Sequence, residues 1–246
     1  MKAYTGFAEV YDEMMDNIPY LEWEAYLLQL LYMNNVKPDG RIIELGCGTG
    51  TMTALLSEIG LDISGIDLSE DMLKIAREKH PEITFAMADM REFTLEQKAD
   101  AMISIADSMN YMRNVDELTR VFKCVRDALS PGGVFIFDLK TEFFFKHIVA
   151  DRTYRGRGKG FTYVWANSYN EDEKYHLYDV TIKRKGPDRK TVTHKEIHRQ
   201  QVFTGKDIKK AAQAAGFTKA RVYGNMNLEK PRLSDDRIYV VLTRTD

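Results

Sequence analysis

Residues 42–56, IIELGCGTGTMTALL, join an apolar run to a helical pattern through a turn with three glycines. Such a turn between a strand and a helix lets the backbone approach a ligand, and the first N–H groups of the helix favour an anionic part of it. The turn lacks the Lys-Ser/Thr pair of a P-loop, because Gly50 is followed by Thr51 and Met52. It also lacks the last glycine of the dinucleotide fingerprint, because Thr51 occupies that position.

Two carboxylates narrow the identity of the ligand. Glu44 lies two residues before the first glycine of the turn, where it would repel a pyrophosphate but would suit an ammonium group. S-adenosylmethionine carries an ammonium, a carboxylate and a sulfonium, and it has no phosphate, so Glu44 favours it over NAD. Asp67 ends the next predicted strand, 21 residues past Gly46, where an acid accepts hydrogen bonds from ribose hydroxyls. Asp67 suits both cofactors and does not distinguish them.

The segment IIELGCGTG resembles the first motif of the class I S-adenosylmethionine-dependent methyltransferases, over residues 40–140 above all. The resemblance implies a Rossmann-like α/β fold, with a seven-stranded, mostly parallel sheet covered by helices on both faces. The last two strands would form an antiparallel pair at one edge. It also implies S-adenosylmethionine as methyl donor, S-adenosylhomocysteine as product and no metal ion. The five histidines offer no convincing ligand cluster.

The resemblance also assigns cofactor-binding roles along the chain. The residues concerned are Tyr11, Trp23, Glu44, Gly46, Cys47, Gly48, Gly50, Asp67, Leu68, Met72, Asp89, Met90 and Ala106. Leu68 and Met72 would wall the adenine, and Asp89 would accept from its amino group, with Met90 stacked nearby. The segment FAEVYDEMM is similar to a helix that related small-molecule enzymes fold over the cofactor, so Tyr11 and Trp23 could close the site. Packing of an N-terminal helix pair explains both aromatic residues equally simply.

Catalytic candidates follow the fourth predicted strand. The segment SIADSMNYM at 104–112 would face both the methyl donor and the acceptor, and we select Asp107 and Asn110 there. Many class I enzymes that methylate nucleic-acid amines have Asp/Asn-Pro-Pro-aromatic at this place, so Asp107-Ser108-Met109 argues against a base-amine acceptor. Asp107 could instead be a loop or capping residue. His198 could act as a base or polar anchor, or could be an ordinary hydrogen-bonded strand residue.

The elements that must position these residues alternate along the first half of the chain. Short apolar strands alternate with helices, which predicts a parallel sheet with both faces covered. Residues 153–203 instead carry β-branched and aromatic residues in partial alternation, typical of an antiparallel three-stranded sheet. The predicted methyltransferase domain therefore comprises residues 1–140 and 204–246, with residues 141–203 inserted as a β lid that forms the acceptor pocket. RGRGKG at 155–160 could bind a phosphate or carboxylate, or could be a solvated loop.

Composition limits the remaining possibilities. The chain of 246 residues is 44% hydrophobic and contains no apolar run long enough for a membrane span, and two cysteines fit a reducing cytoplasm. Its net charge of −2 combines −11 over residues 1–140 with +9 over residues 141–246. We therefore expect methylation of N or O on a small molecule. The alternatives are RNA methylation through the basic segment, a non-catalytic S-adenosylmethionine-binding protein and a Rossmann dehydrogenase. The oligomeric state stays open.

Overall fold

The chain forms two sheets, which a computed structural model describes over residues 7–185 and 190–246. The strands are β1 Arg41–Leu45, β2 Asp62–Asp67, β3 Phe85–Met87, β4 Ala99–Ser104, β5 Leu129–Lys140, β6 Thr153–Gly158, β7 Phe161–Asn170, β8 Tyr175–Lys185, β9 Thr191–Gln201, β10 Lys219–Tyr223 and β11 Arg237–Thr243. The helices are α1 Ala8–Met14, α2 Tyr20–Met33, α3 Thr51–Glu58, α4 Glu70–Lys79, α5 Val115–Ala128 and α6 Gly205–Ala214. A 3-10 helix, Ser108–Tyr111, and a π-helix, Phe144–Val149, complete them.

The larger sheet has seven strands in the order β10-β11-β5-β4-β1-β2-β3. Strands β1 to β5 run parallel, whereas β11 pairs antiparallel with both β5 and β10. Ile42 packs with α2 and α3 on one face, and its neighbour Ile43 packs with α5 and α6 on the other. Burial of both faces explains the near-continuous apolar runs in these strands. This sheet confirms the predicted Rossmann-like fold.

The smaller sheet, which we call the lid sheet, has four antiparallel strands in the order β6-β7-β8-β9, so the prediction of three strands was wrong. The error concerns residues 153–158, whose glycines suggested a loop. In the structure a Cβ on Gly156 would overlap the Tyr163 ring, and one on Gly158 would overlap the Phe161 ring. The two glycines therefore make room for aromatic rings of β7 and allow β6 to pair at the edge of the sheet.

Several element ends also differ from the predictions. Apolar residues at three- and four-residue spacing predict helices at 7–15 and 20–35, the second with Pro19 in its first turn. The observed helices are shorter, Ala8–Met14 and Tyr20–Met33, and Pro19 is the N-cap of the second. The SPGG segment at 130–133 predicts a turn, but it lies within β5, where the register against β4 shifts between Ala99 and Ala101. In the described ranges, no helix combines the length and apolar character that a membrane crossing requires.

Candidate active site

The glycine turn connects β1 to α3 at the carboxyl edge of the larger sheet. Gly46, Gly48 and Gly50 all have positive φ, at 73°, 55° and 80°. A Cβ on Gly46 would lie 2.6 Å from the Ser108 Oγ, so glycine is required there for the turn to approach the segment after β4. A Cβ on Gly48 would meet nothing within 4 Å, so this side of the turn faces open space. The turn therefore forms an open backbone cradle.

Asp67 fixes the shape of this cradle from the end of β2. Its Oδ2 accepts from the Gly48 N–H at 2.8 Å, and its Oδ1 accepts from the Ser69 N–H at 2.8 Å. Burial raises the pKa of Asp67 above its ordinary value, and these backbone hydrogen bonds oppose that shift. Each carboxylate oxygen has a second lone pair. Asp67 can therefore hold the turn and still accept from a ligand hydroxyl.

Glu44 lies beneath the turn and is 3% exposed. Its Oε2 accepts a hydrogen bond from the Thr53 hydroxyl in the first turn of α3. Burial raises the pKa of Glu44 to about 7, and the charge of Asp67 adds to the increase. The carboxylate is thus close to its titration point at neutral pH and would gain from a cation placed beside it.

Apolar side chains flank the open side of the cradle. Leu68 is 63% exposed and Met87 is 60% exposed at the ends of β2 and β3. Met90 lies beside Gly46, because its Cε would be 3.5 Å from a Cβ built there. An open backbone turn, an acid and uncovered apolar side chains fit the methionine, ribose and adenine parts of S-adenosylmethionine. Met72 and Cys47, by contrast, are buried.

Asp89 is already engaged by a neighbour. The Arg91 guanidinium donates to both of its carboxylate oxygens, the shortest distance being 2.6 Å, and it also reaches Glu117 at 3.2 Å. The hydrogen bond from Arg91 lowers the pKa of Asp89. The role of Asp89 toward the adenine amino group stays a prediction, and a ligand would share the carboxylate with Arg91.

The backbone after β4 is strained. Ala106 and Asp107 have φ of 61° and 59°, which L-residues with side chains adopt at a cost of about 1–3 kcal/mol each. The Asp107 N–H donates to the Asp138 Oδ1 at 2.9 Å, which holds this conformation. Consecutive strained residues persist only where surrounding contacts hold their backbone conformation, and such positions concentrate at functional sites.

Asp107 belongs to a group of four charges that we call the charge cluster, which comprises the buried acids Asp107 and Asp138 and the partly buried bases Lys140 and Arg237. Lys140 Nζ lies 3.2 Å from one Asp107 oxygen, Arg237 Nη2 lies 3.2 Å from the other, and Arg237 also pairs with Asp138. Burial alone would raise the pKa of Asp107, but Lys140 and Arg237 together hold it below its ordinary value. Asp107 is therefore a fixed anion in a locally neutral group, which makes it a poor general base.

The lid sheet joins this cluster through β9. Gln200 Nε2 donates to Asp107 Oδ2, and the buried Asn110 amide donates to the Gln201 carbonyl at 2.8 Å. Asn110 also bonds both the N–H and the carbonyl of Lys140, at 2.9 and 3.2 Å. Backbone groups thus occupy the Asn110 side chain, which connects β5, the segment after β4 and the lid sheet. This geometry favours a positioning role over a catalytic one.

His198 lies on the lid face that covers the end of β4. Its Nδ1 lies 3.1 Å from the Tyr111 hydroxyl, and its Nε2 lies 3.4 Å from Oε2 of Glu196. The His198 and Glu196 side chains are 3% and 7% exposed. The Glu196 Oε1 accepts from the Phe7 N–H at 3.1 Å, which fixes the acid. A hydroxyl, an imidazole and a carboxylate in sequence can move a proton away from the end of β4.

The two N-terminal aromatic candidates occupy different environments. Tyr11 packs against the apolar cluster that includes the lid residues Tyr178 and Val180, and burial raises its pKa well above its usual value. Trp23 is 4% exposed in the core, with the Arg237 guanidinium 4.8 Å above its ring. Trp23 thus supports the charge cluster, and its role at the cofactor stays a prediction.

Sequence reasoning missed Lys140, Arg237, Tyr111 and Glu196. Lys140 ends the apolar strand β5, and the antiparallel register places Arg237 directly beside it. The sequence did carry one signal for the charge cluster: Asp138 lies within an apolar strand, and the charged residue Lys140 ends that strand. Tyr111 and Glu196 had no signal, because the contact between Tyr111 and His198 spans 87 residues and requires the lid to be placed first. Over the described chain, no group of His, Cys, Asp and Glu side chains is arranged to hold a metal ion.

Comparisons with known proteins agree with this geometry. A family model for a methyltransferase domain matches residues 42–133. "Putative methyltransferase YqeM" of Bacillus subtilis (strain 168) is 31% identical over 243 residues, covering 96% of this chain and 95% of that protein. A dTDP-3-amino-3,6-dideoxy-alpha-D-glucopyranose N,N-dimethyltransferase of Streptomyces fradiae is 29% identical over 197 residues, covering 79% and 76%.

Solved structures agree on the fold. A S-adenosylmethionine-dependent methyltransferase from Clostridium acetobutylicum ATCC 824 covers 100% of both chains with a TM-score of 0.84 at 22% identity. The seven-stranded sheet with its antiparallel edge pair, the open glycine turn, and a relative that matches nearly the whole chain lead to one conclusion. The chain belongs to the class I S-adenosylmethionine-dependent methyltransferases.

Proposed function

We propose that this enzyme methylates the nitrogen of a small-molecule amine held between the lid sheet and the end of β4. The observation that carries the proposal is the Tyr111–His198–Glu196 chain at this place. An ammonium group must lose a proton before its nitrogen has a lone pair for attack, and the chain offers a route for that proton. The Streptomyces fradiae relative, which is named as an amino-sugar N,N-dimethyltransferase, supports the same class of acceptor.

On this proposal the glycine turn, Asp67, Leu68 and Glu44 hold the methyl donor, and residues 141–203 form the acceptor lid. When bound, S-adenosylmethionine supplies an electrophilic methyl group on a sulfonium. The chain's own residues align the acceptor nitrogen, exclude water and remove one proton. That proton passes from the acceptor to the Tyr111 oxygen while the Tyr111 hydroxyl proton passes to His198 Nδ1, and Glu196 stabilises the imidazolium.

Aromatic side chains pack on the inner side of the lid sheet, where the Lys140 Nζ already lies 5.3 Å from the Tyr178 ring centroid. Trp165 and Tyr178 meet edge to face at 5.6 Å on the lid, and Phe7 meets Tyr11 at 5.4 Å. Aromatic faces attract a protonated amine before it is deprotonated. A hydroxyl or carboxylate acceptor would lack this attraction between a cation and a ring face.

The test is methyl transfer from labelled S-adenosylmethionine to a panel of acceptors: nucleotide-linked amino sugars, other primary amines, phenols, carboxylic acids and transfer RNA. We expect label on amine nitrogen, with amino sugars preferred. Label confined to oxygen or to RNA would contradict the proposal.

The proposed proton route has its own test. Tyr111→Phe should lower kcat by at least about tenfold, because a positioned proton acceptor contributes about 10²–10⁴ in rate. The dissociation constant for S-adenosylmethionine should stay within about twofold of wild type, because Tyr111 removes the acceptor's proton and leaves the donor site intact. Tyr154→Phe, on the exposed edge strand, is the matched control. His198→Gln should also lower kcat by at least about tenfold, and an unchanged kcat would assign His198 a structural role.

A further inference from the structure

The lid sheet has a second face, directed away from the charge cluster, which we call the outer face. Burial alternates along β8 and β9, with His176, Tyr178, Glu196 and His198 buried on the inner side. The cross-strand register places Arg157 and Lys183 in one outer row and Arg155 and Lys195 in the next. The four cations therefore share one exposed surface.

These four cations have no charge partner among the residues that the structure describes. Within residues 7–185 and 190–246, none of Arg155, Arg157, Lys183 and Lys195 makes an ion pair or a side-chain hydrogen bond. Arg199 and Lys185, on the same side, do have partners: Gln201 and Thr191. One carboxylate, Asp179, lies on the described outer face. The surface is thus strongly cationic in a chain whose net charge is −2.

The side chains between these cations suit phosphate oxygens. The outer rows contain Thr162 and Thr193 beside Lys183, and Thr181 beside Lys195. Threonine hydroxyls and basic side chains are the groups that contact nucleic-acid backbones. No aromatic side chain lies in these two rows, so single-stranded bases have no ring on which to stack. The membrane surface, which is also anionic, is bound through large aromatic or aliphatic anchors that these rows lack.

We propose that the outer face docks the sugar-phosphate backbone of double-helical RNA. Three strand spacings of about 4.8 Å separate Arg155 from Lys195, so the cations span about 14 Å across the sheet. A surface of this width exceeds the DNA major groove, about 12 Å wide, but fits the wide and shallow minor groove of A-form RNA. Docking goes beyond the proposed amine methylation and does not require RNA to accept the methyl group.

The test uses fluorescence anisotropy of the full-length protein with an RNA duplex of about 20 base pairs and a DNA duplex of the same sequence. We expect micromolar binding of RNA at low salt, with log K falling by about 3–4 per tenfold rise in salt if each cation neutralises one phosphate. The outer-face variant neutralises all four cations through Arg155→Gln, Arg157→Gln, Lys183→Gln and Lys195→Gln. It should weaken RNA binding at least about 30-fold.

A matched control neutralises four exposed lysines elsewhere, through Lys37→Gln, Lys74→Gln, Lys209→Gln and Lys210→Gln. It has the same net charge as the outer-face variant and should bind RNA within about threefold of wild type. Calorimetric affinity for S-adenosylmethionine, which should be equal in all three proteins, verifies folding and keeps this test independent of methyl transfer. Equal losses of RNA affinity in the two variants, or DNA binding as tight as RNA binding, would overturn the proposal. So would binding of phosphatidylserine vesicles without binding of RNA, or self-association instead of RNA binding.

Discussion

Single residues at the glycine turn combine two constraints that can be separated by experiment. Gly46 needs a positive φ, and it also needs to lack a Cβ because Ser108 lies against it. Gly60 has φ of 92° but open space around its Cβ position. Alanine substitutions at Gly46 and at Gly60 therefore separate two costs in unfolding free energy: that of the backbone conformation and that of steric overlap.

We predict that Gly60→Ala lowers the free energy of unfolding by about 1–2 kcal/mol, the cost of a left-handed alanine. Gly46→Ala should cost about 1–3 kcal/mol more, because the segment after β4 must move away. It should also abolish S-adenosylmethionine binding, whereas Gly60→Ala should not. Urea denaturation and calorimetric titration measure the two effects. Equal stability losses would show that Ser108 moves aside freely.

Glu44 should make stability depend on pH. Its folded pKa of about 7 lies above the ordinary 4.5, so the folded state retains a proton that the unfolded state has released between these values. Stability from this group therefore falls as pH rises from about 4.5 to about 7, by about 3 kcal/mol in total, and is constant outside that window. Glu44→Gln lacks this group. The difference in unfolding free energy between wild type and Glu44→Gln should therefore change between about pH 4.5 and about pH 7. A difference that did not depend on pH would contradict the burial of Glu44.

Glu44 should also release a proton when the methyl donor binds. An ammonium beside the carboxylate favours its ionised form, so binding at about pH 6 should release close to one proton from wild type and none from Glu44→Gln. Titration calorimetry in two buffers with different ionisation enthalpies measures the number. If both proteins released the same number of protons, Glu44 would have no contact with the ammonium.

At the scale of elements, local patterns predicted the larger sheet well. The buried strands and the helix caps are determined by nearby residues, as in Ser69, whose hydroxyl accepts from the Met72 N–H at the start of α4. The predictions failed where a distant ring or charge decides the outcome. Gly156 forms a strand because Tyr163 lies over it, and Asp107 lies in a charge cluster because Arg237, 130 residues away, pairs with it. A single sequence carries no local record of such contacts.

Arg237 connects β11 to β5 and to the segment after β4, so its loss should affect all three. Arg237→Met would leave Asp107 and Asp138 with Lys140 as their one remaining partner in the cluster, and we expect a loss of about 3–5 kcal/mol in unfolding free energy. Lys79→Met, which breaks the exposed pair between Lys79 and Asp12, should cost less than about 1 kcal/mol. Urea denaturation compares them. If both variants lost less than about 1 kcal/mol of unfolding free energy, water would still reach the charge cluster.

At the scale of the whole molecule, the two sheets share contacts that should make them unfold together. Gln200 reaches Asp107, and Asn110 reaches Gln201 across the boundary. Phe7 and Val10, at the N-terminal end of the chain, pack with lid residues such as Val180 and Tyr178. The division into a methyltransferase domain and a lid at residues 141–203 stays a proposal, and these contacts predict one cooperative unit.

The two tryptophans allow a direct test of this cooperativity. Trp23 lies in the larger core and Trp165 lies on the lid sheet. Trp165→Phe leaves a fluorescent reporter of the core, and Trp23→Phe leaves one of the lid. We expect the unfolding curve of each variant by fluorescence to coincide with its own curve by circular dichroism, as two-state behaviour requires. A lid signal that is lost at lower urea concentration than the circular dichroism signal would show independent unfolding.

The alternation of inner and outer residues in the lid sheet has a consequence for how the protein can diverge. Neighbouring residues such as Ile182 and Lys183 face opposite sides, so the inner side and the cationic outer face of the lid sheet can change by separate point substitutions. A one-residue insertion or deletion within β8 or β9 would exchange the faces of all residues beyond it. Length variation among descendants should therefore be confined to connections such as residues 171–174, while the strands change only by substitution.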